Sequence, residues 1–259
     1  MKRDFSYLHD ITDDDRLLLS KVLDWAETAE EKYVTRCSFF LDERQCALCE
    51  KVLMSQKYEN YLLWGGYDGA ERKILCVYAP YSDINKNDLP VVPVTLSYRK
   101  EDKLTHRDVL GALMSLMISR ESVGDIIVAE GRAAVFLKDT VADDVLMSIK
   151  KIGRVGVRAE KGFDESMRPQ VSFKEITGTV ASLRFDSVAA LALRISREKA
   201  AALIKGGLAE IDHVKTDQPK KLVEVGSRFS VRGHGKFLLR SVDGRSNKDR
   251  LHITVCKYI

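Results

Sequence analysis

Hydrophobic positions recur with a helical period in the first part of the chain and then give way to short apolar runs. Asp13–Lys32 and Asp42–Gln56 place their apolar residues close to a 3.6-residue period, which predicts two amphipathic helices. Tyr61–Trp64 and Ile74–Tyr78 are apolar runs separated by the glycine-rich segment Gly65–Gly69, which indicates two strands and a turn. The pattern predicts an N-terminal α/β region whose strands form either a hairpin or part of a βαβ unit.

The next region alternates strand and helix patterns. The predicted elements are a strand at Val91–Tyr98, a helix at Thr105–Ile118, strands at Asp125–Val128 and Ala133–Lys138, a helix at Val141–Ile152 and a strand at Val155–Ala159. This βαββαβ order predicts a ferredoxin-like plait, which many RNA-binding folds share. The RNA-recognition version stacks bases on aromatic residues of its central strands. Here Arg132–Leu137 supplies one aromatic residue, Phe136. Whether this sheet contacts RNA or protein stays open.

The last third predicts a small helical and β module. The polar segment Lys161–Arg168 breaks the preceding pattern and predicts a linker. A helix at Ser187–Leu193 is followed by Ser196, a suitable N-cap, and by a second helix at Ala200–Ile204. Four strands follow, at Leu208–Val214, Ser227–Arg232, Lys236–Val242 and Leu251–Lys257. We therefore predict an α+β chain with an N-terminal α/β domain (1–84), an RRM-like plait (85–162), a linker or strand (163–181) and a C-terminal module (182–259).

Charge is distributed unevenly along the chain. The net charge of the 259 residues is only +4, but residues 177–259 carry 16 Lys and Arg against 8 Asp and Glu, or +8, which leaves −4 on the rest. A basic module joined to a mildly acidic body is typical of nucleic-acid-binding proteins. No apolar run approaches the roughly 18–20 residues of a membrane span, and the N-terminus lacks a signal-peptide pattern. We expect a cytoplasmic protein without a membrane partner.

The start of the second C-terminal helix is the candidate phosphate-binding position. A helix N-terminus presents unpaired N–H groups and a partial positive charge, both of which favour a phosphate. We expect Arg197 to lie there, with Arg184 reaching the same side from the preceding helix. Alanine at both positions is expected to remove most RNA binding without unfolding the module. The predicted RNA-binding residues are Arg184, Ser196, Arg197, Lys199, Lys205, Arg232, Gly233, His234 and Lys236.

These residues also carry a family resemblance. The module resembles the S4 (αL) RNA-binding domain through Leu183-Arg184-Phe185-Asp186, Ser196-Arg197, Leu203-Ile204-Lys205-x-Gly207 and Val231-Arg232-Gly233. The whole chain resembles the YlmH family of bacterial S4 proteins through Gly65-Gly66-Tyr67, Ala70-Glu71-Arg72, His106-Arg107-Asp108 and Arg120-Glu121-x-x-Gly124-Asp125. It departs from the usual S4 pattern at Asp212, where Asn is usual, and at Gly226-Ser227, where Gly-Asp is frequent.

The resemblance implies binding to structured RNA. Members of the family are associated with rRNA of the large ribosomal subunit and with peptidyl-tRNA on stalled, split subunits, and others with cell division or photosystem assembly. It therefore implies a monomeric, non-catalytic protein of translation or ribosome-associated quality control, with no small-molecule substrate. An S4-targeted RNA-modifying enzyme, resembling a pseudouridine synthase or a methyltransferase, is the alternative. The Asp of a synthase is expected in a larger domain, whereas Asp186 lies inside the S4-like module.

Other motifs predict structural roles. Cys46-x-x-Cys49 has no second Cys or His pair at metal spacing and lies on the predicted second helix, so we expect no metal or cofactor there. The five cysteines are expected to be reduced thiols, because no export signal precedes them. His106-Arg107-Asp108 resembles a kinase catalytic loop, but Leu113 stands where the metal-binding Asn is required. We expect a helix start in which Asp108 caps and His106 packs, with a family-specific contact surface as the alternative.

Overall fold

The computed structural model describes residues 3–5, 7–8, 11–169, 172–245 and 249–259. These residues contain six α-helices and several antiparallel sheets, so the α+β class predicted from the sequence is confirmed. Contacts divide the chain into two units, Met1–Pro169 and Gln170–Ile259. The predicted boundary between residues 84 and 85 falls inside the first unit. In the described residues, no helix is long and apolar enough to cross a membrane.

The first unit begins with a layer of two helices and three strands. The elements are α1 (Asp13–Lys32), β1 (Arg36–Leu41), α2 (Glu43–Ser55), β2 (Tyr61–Trp64) and β3 (Lys73–Val77). Capping boxes built on Thr12 and Asp42 begin the helices where the sequence predicts them. The strands form an antiparallel sheet in the order β1-β3-β2, so β2 and β3 are a hairpin. Strand β1, which sequence reasoning did not predict, completes the sheet.

A four-stranded plait follows in the same unit. Its elements are β4 (Val91–Ser97), α3 (His106–Ser115), β5 (Val123–Ala129), β6 (Arg132–Lys138), α4 (Asp139–Ser148) and β9 (Arg158–Lys161). The antiparallel order β5-β6-β4-β9 is that of a ferredoxin-like sheet, with both helices on one face. The predicted last strand is misplaced, because Val155–Gly156 (β8) pairs with Lys151–Ile152 (β7) in a separate hairpin. Three 3₁₀ turns lie at Lys86–Asp88, Arg120–Ser122 and Glu165–Met167.

The N-terminal layer covers the other face of the plait sheet. Phe136, at the centre of β6, is fully buried in a cluster with Phe40 and Ile74 of the first layer. Its ring centroid lies 5.0 Å from that of Tyr67 and 5.0 Å from that of Phe163. No base can therefore stack on Phe136, the one aromatic residue that the sequence offers on this strand.

Glycine makes this close packing possible. Gly66 has a φ of +103°, and a Cβ at this position would lie 2.2 Å from the ring of Phe136. A Cβ on Gly124 would likewise lie 2.6 Å from the ring of Phe40. The Gly65–Gly69 segment is thus a turn pressed against the plait, rather than a phosphate-binding loop.

The second unit is a helical pair on a six-stranded antiparallel sheet. Its elements are β10 (Phe173–Val180), α5 (Phe185–Leu193), α6 (Arg197–Lys205), β11 (Ala209–Ile211), β12 (Val214–Lys215), β13 (Arg228–Val231), β14 (Gly235–Arg245) and β15 (Leu251–Tyr258). The strand order is β10-β15-β14-β13-β11-β12. Phe185, Phe229 and Phe237 form its aromatic core. The range predicted as linker or strand contains β10, which pairs with β15 along its whole length.

The cysteines correct one expectation. Cys37 of β1 and Cys76 of β3 occupy directly opposite positions, with Cα atoms 4.1 Å apart, and form a disulfide. Sequence reasoning missed this pair because it did not predict β1, the strand that brings the two side chains together. Cys46 and Cys49 lie on the buried face of α2, and burial raises the pKa of the Cys46 thiol to about 12. Such a thiol is unreactive at neutral pH.

Candidate nucleic-acid interface

A buried carboxylate joins the two helices of the second unit. Asp186 lies in the first turn of α5, and its side chain is only 6% exposed. Its Oδ2 atom accepts from Arg184 Nη2 at 2.8 Å and lies 3.1 Å from Arg197 Nη2. Arg184 is the N-cap residue of α5, and Arg197 is the first residue of α6. The carboxylate therefore holds together the beginnings of both helices, which we call the α5–α6 corner (residues 184–199).

The charge of Asp186 is set by two opposed effects. Burial raises the pKa of Asp186, but the hydrogen bonds from Arg197 and Arg184 lower it by a larger amount. The pKa therefore lies below its ordinary value of 3.8. Asp186 is therefore ionised at neutral pH. The two arginines share this one buried negative charge, in addition to any contact with a ligand.

This pairing corrects the expected role of Arg184 and Arg197. Both were predicted to be free phosphate ligands, whereas in the structure one outer nitrogen of each is paired with Asp186. The side chain of Arg197 remains 48% exposed and that of Arg184 32%. Because a guanidinium carries five N–H donors, both can still reach an external anion. Their replacement by alanine, however, cannot be structurally neutral.

Ser196 acts as the predicted helix cap. Its hydroxyl oxygen accepts from the backbone N–H of Lys199 at 3.3 Å, so the side chain satisfies one N–H of the first turn of α6. The remaining N–H groups of this turn, together with the exposed side chain of Lys199, lie at the predicted phosphate position.

The other predicted residues form a separate group. Lys205 ends α6, which at nine residues is about 13 Å long. Beyond it, the N–H of Arg232 donates to the carbonyl of Leu208 at 2.8 Å. Arg232 begins the tight turn between β13 and β14, where Gly233 has a φ of +83° and His234 donates through its N–H to Val231. This second group therefore lies near the far end of α6; its members are Lys205, Arg232, Gly233, His234 and Lys236.

Sequence reasoning missed two arginines that line a cavity at the α5–α6 corner, Arg194 within it and Arg250 beside it. Arg194 ends α5 with a left-handed conformation (φ 55°), and Arg250, next to β15, donates to the carbonyl of Thr179 at 2.8 Å. Together with Arg197 they line a cavity of about 420 Å³. Its remaining wall is mostly small or apolar and includes no carboxylate: Thr179, Val180, Ala181, Ser187, Ala190, Leu191 and Ile195. Arg250 follows Arg197 by more than fifty residues, so only the folded sheet could reveal the grouping.

The two departures from the S4 pattern compensate each other. Asp212, which has a φ of 47°, accepts from the hydroxyl of Ser227 at 2.9 Å and from the N–H of Arg228 at 2.8 Å. An Asn and an Asp at these positions could form the same link with the donor and acceptor exchanged. The carboxylate of Asp212 therefore accepts hydrogen bonds inside the module.

This exchange predicts a double-mutant result. Asp212→Asn alone should destabilise the second unit by about 1 kcal/mol because it weakens the hydrogen bond. Ser227→Asp alone should destabilise it by about 1 kcal/mol because two carboxylates then face each other. The double variant should recover most of that loss. Hydrogen exchange of peptides from β11 to β13 measures it, and additive losses would contradict the coupling.

The motifs in the first unit have structural roles. The hydroxyl of Tyr67 donates to Asp125 Oδ2 at 2.8 Å, and the N–H of Arg72 donates to Asp125 Oδ1 at 3.0 Å. These contacts fasten the N-terminal layer to β5. At the start of α3, Thr105 is the N-cap residue and Asp108 completes its capping box. His106 is exposed, so the expectation that it packs is wrong.

Comparisons with known proteins agree with this architecture. Residues 85–164 match the family model described as "Putative RNA-binding domain in YlmH". The "Ribosome-associated protein quality control protein P2" of Bacillus subtilis (strain 168) is 30% identical over 243 residues, 93% of this chain and 94% of that protein. The solved structure of "Cell division protein ylmH from Streptococcus pneumoniae" has a TM-score of 0.53 at 23% identity and covers 63% of this chain and 99% of that one, which shows a shared fold.

The plait and the basic second unit, taken with these matches, define an RNA-binding protein. The match to the B. subtilis protein is long enough and similar enough to identify the family as well. The chain belongs to the YlmH family.

Proposed function

We propose that the second unit is an S4 RNA-binding module that binds rRNA of the large ribosomal subunit, a tRNA held there, or both. The observation that carries the proposal is the convergence of Arg194, Arg197 and Arg250 on one cavity at the beginning of α6. Guanidinium groups and a helix N-terminus both favour phosphate oxygens. The net charge of +8 on residues 177–259 supports the same assignment.

The place of action is inferred from the family. The B. subtilis relative is named for ribosome-associated quality control, and we propose that this chain acts in the same process, in the cytoplasm. We further propose that it acts by binding rather than by catalysis. The carboxylates of its motifs are engaged in structural hydrogen bonds: Asp108 with Thr105, Asp125 with Tyr67, Asp186 with Arg184 and Asp212 with Ser227.

Salt dependence tests the RNA-binding site. If about six phosphates are neutralised, binding of the full chain to purified large ribosomal subunits or to tRNA should weaken with a log–log slope near −4 to −5. Arg194→Gln combined with Lys199→Gln removes two exposed charges and leaves the Asp186 pairs intact. This variant should bind about tenfold more weakly, with a slope reduced by about 1.4.

A matched control uses the edge strands of the same sheet. Lys174→Gln combined with Lys215→Gln makes an equal charge change on β10 and β12, away from the α5–α6 corner, and should bind like the wild type. Filter binding and co-sedimentation measure both variants. Equal weakening by the two pairs would show diffuse attraction and contradict the site, and a salt-independent affinity would contradict the mechanism.

A further inference from the structure

The plait has a basic groove on the side away from its covered sheet face. The groove lies between α3 with the segment before it and the β7–β8 hairpin, and its volume is about 640 Å³. One wall contributes Lys103 and Arg107, and the other contributes Lys151 and Arg154. The rest of the lining is small, apolar or neutral except for one carboxylate: Leu104, Asp108, Gly111, Ala112, Ser115, Ile152, Gly153 and Val155.

The four cations of the groove are available to an external anion. All four side chains are exposed, and in the described part of the chain none lies within salt-bridge distance of a carboxylate. Elsewhere in this unit, exposed cations do have such partners, as Lys86 has Asp68 and Lys161 has Asp143. The carboxylate of Asp108 accepts from the hydroxyl of Thr105 at 2.6 Å and from its N–H at 2.9 Å. The lining therefore carries a net charge of +3.

Gly111 is a second observation at the same place. It lies in the middle of α3, is exposed to the groove, and has a helical φ, so nothing in its conformation requires glycine. A Cβ at this position would have no described atom within 4 Å. Glycine is disfavoured inside a helix relative to alanine. A ligand whose backbone approaches α3 closely would explain why the helix lacks a side chain here.

We propose that this groove is a second RNA site, which binds the phosphate backbone. Lys103 and Arg107 would contact phosphates from one wall and Lys151 and Arg154 from the other, with the sugar-phosphate chain passing over Gly111. The inference rests on the proposed RNA-binding function and, within the region that matches the family model, assigns the contact to this face and these residues. Because Phe136 and its neighbours are covered, RNA reaches this domain from the helical side rather than by stacking on the sheet.

The test uses the full chain and a fluorescently labelled RNA stem–loop. Arg107→Gln combined with Arg154→Gln removes one cation from each wall and should weaken binding about tenfold, with a salt slope smaller by about 1.4. The matched control is Lys32→Gln combined with Lys51→Gln, two exposed lysines on α1 and α2 of the same unit, and it should bind like the wild type. Fluorescence anisotropy at several salt concentrations gives both quantities.

Gly111→Ala separates a ligand contact from a folding effect. Alanine is the better helix former, so the melting temperature of the variant should stay constant or rise by about 2–4 °C. RNA binding should nevertheless weaken several-fold, because the added methyl group holds the RNA backbone away from α3. A raised melting temperature with unchanged affinity would overturn the close approach at Gly111.

The outcomes distinguish this proposal from the one on which it rests. If the wild type and the control bind the stem–loop and the groove variant binds equally well, the groove is not an RNA site and the C-terminal site stands. If the wild type does not bind RNA, both proposals fail. If the groove variant loses co-sedimentation with large ribosomal subunits while its affinity for the stem–loop is unchanged, the partner is an acidic protein surface, which overturns the RNA assignment.

Discussion

Replacement of both Arg184 and Arg197 by alanine should destabilise the second unit by about 3 kcal/mol. The double variant leaves Asp186, whose side chain is 6% exposed, without either of its counter-ions. Removing the partners of a buried charge is strongly unfavourable because the remaining charge is no longer compensated. This outcome replaces the expectation from sequence that the double variant only loses RNA binding.

Hydrogen exchange of peptides from α5, α6 and β13–β15 in the full chain measures this loss. Both tryptophans, Trp25 and Trp64, pack in the first unit, so their fluorescence should be unchanged and serves as an internal control. The triple variant that adds Asp186→Asn should recover part of the stability, because it removes the uncompensated charge. A triple variant as unstable as the double variant would contradict this explanation.

The same pairing predicts opposite effects of acid. In the wild type the pKa of Asp186 is depressed, so the stabilisation it gives is present above its ordinary pKa of 3.8 and is lost as the pH falls through the depressed value. In the double variant both arginine contacts are gone, so burial should raise the pKa of Asp186. The destabilisation caused by the uncompensated charge of Asp186 should be complete at neutral pH and should disappear as the pH falls towards 4.

Replacement of Phe136 by alanine should destabilise the first unit by about 3–5 kcal/mol. Phe136 is fully buried between the plait sheet and the N-terminal layer, where Tyr67 and Phe163 contact its ring. Urea unfolding followed by tryptophan fluorescence measures the loss, because Trp64 packs against the same cluster.

Phe39→Ala is the matched control for this prediction. Phe39 lies on β1 of the same unit but is 44% exposed, and its ring contacts only the ammonium group of Lys138 among the described aromatic and cationic pairs. Its loss should cost about 1 kcal/mol or less. Equal losses at the two positions would mean that the sheet face is not the covered core described above.

Local patterns predicted most of the elements. The apolar periods of α1 and α2 and the caps at Asp42 and Ser196 are short-range signals, and they place helix starts correctly. Strand β1 was missed because Arg36–Leu41 does not alternate and directly precedes a helix. With β1 missing, neither the disulfide of Cys37 and Cys76 nor the sheet that covers Phe136 could be foreseen.

The approach of Arg184 and Arg197 to each other was predicted, but the carboxylate that holds them together was not. Sequence reasoning expected Arg184 and Arg197 to converge, and both do reach one carboxylate atom. It missed that atom's role because spacing alone does not reveal that Asp186 is buried. Arg250 escaped notice because its neighbours at the corner come from a distant segment. The burial of Asp186 and the position of Arg250 both depend on the folded second unit, which local sequence patterns do not reveal.

The covered sheet also limits what this plait can recognise. Nucleobases are distinguished by their edges and ring faces, whereas phosphates are the same at every nucleotide. With Phe136 enclosed between two layers, this residue is closed to base stacking, and the proposed groove would offer an RNA only its cations. Such a domain would select its RNA by the spacing and curvature of the RNA strands. It would tolerate changes of RNA sequence that preserve that shape.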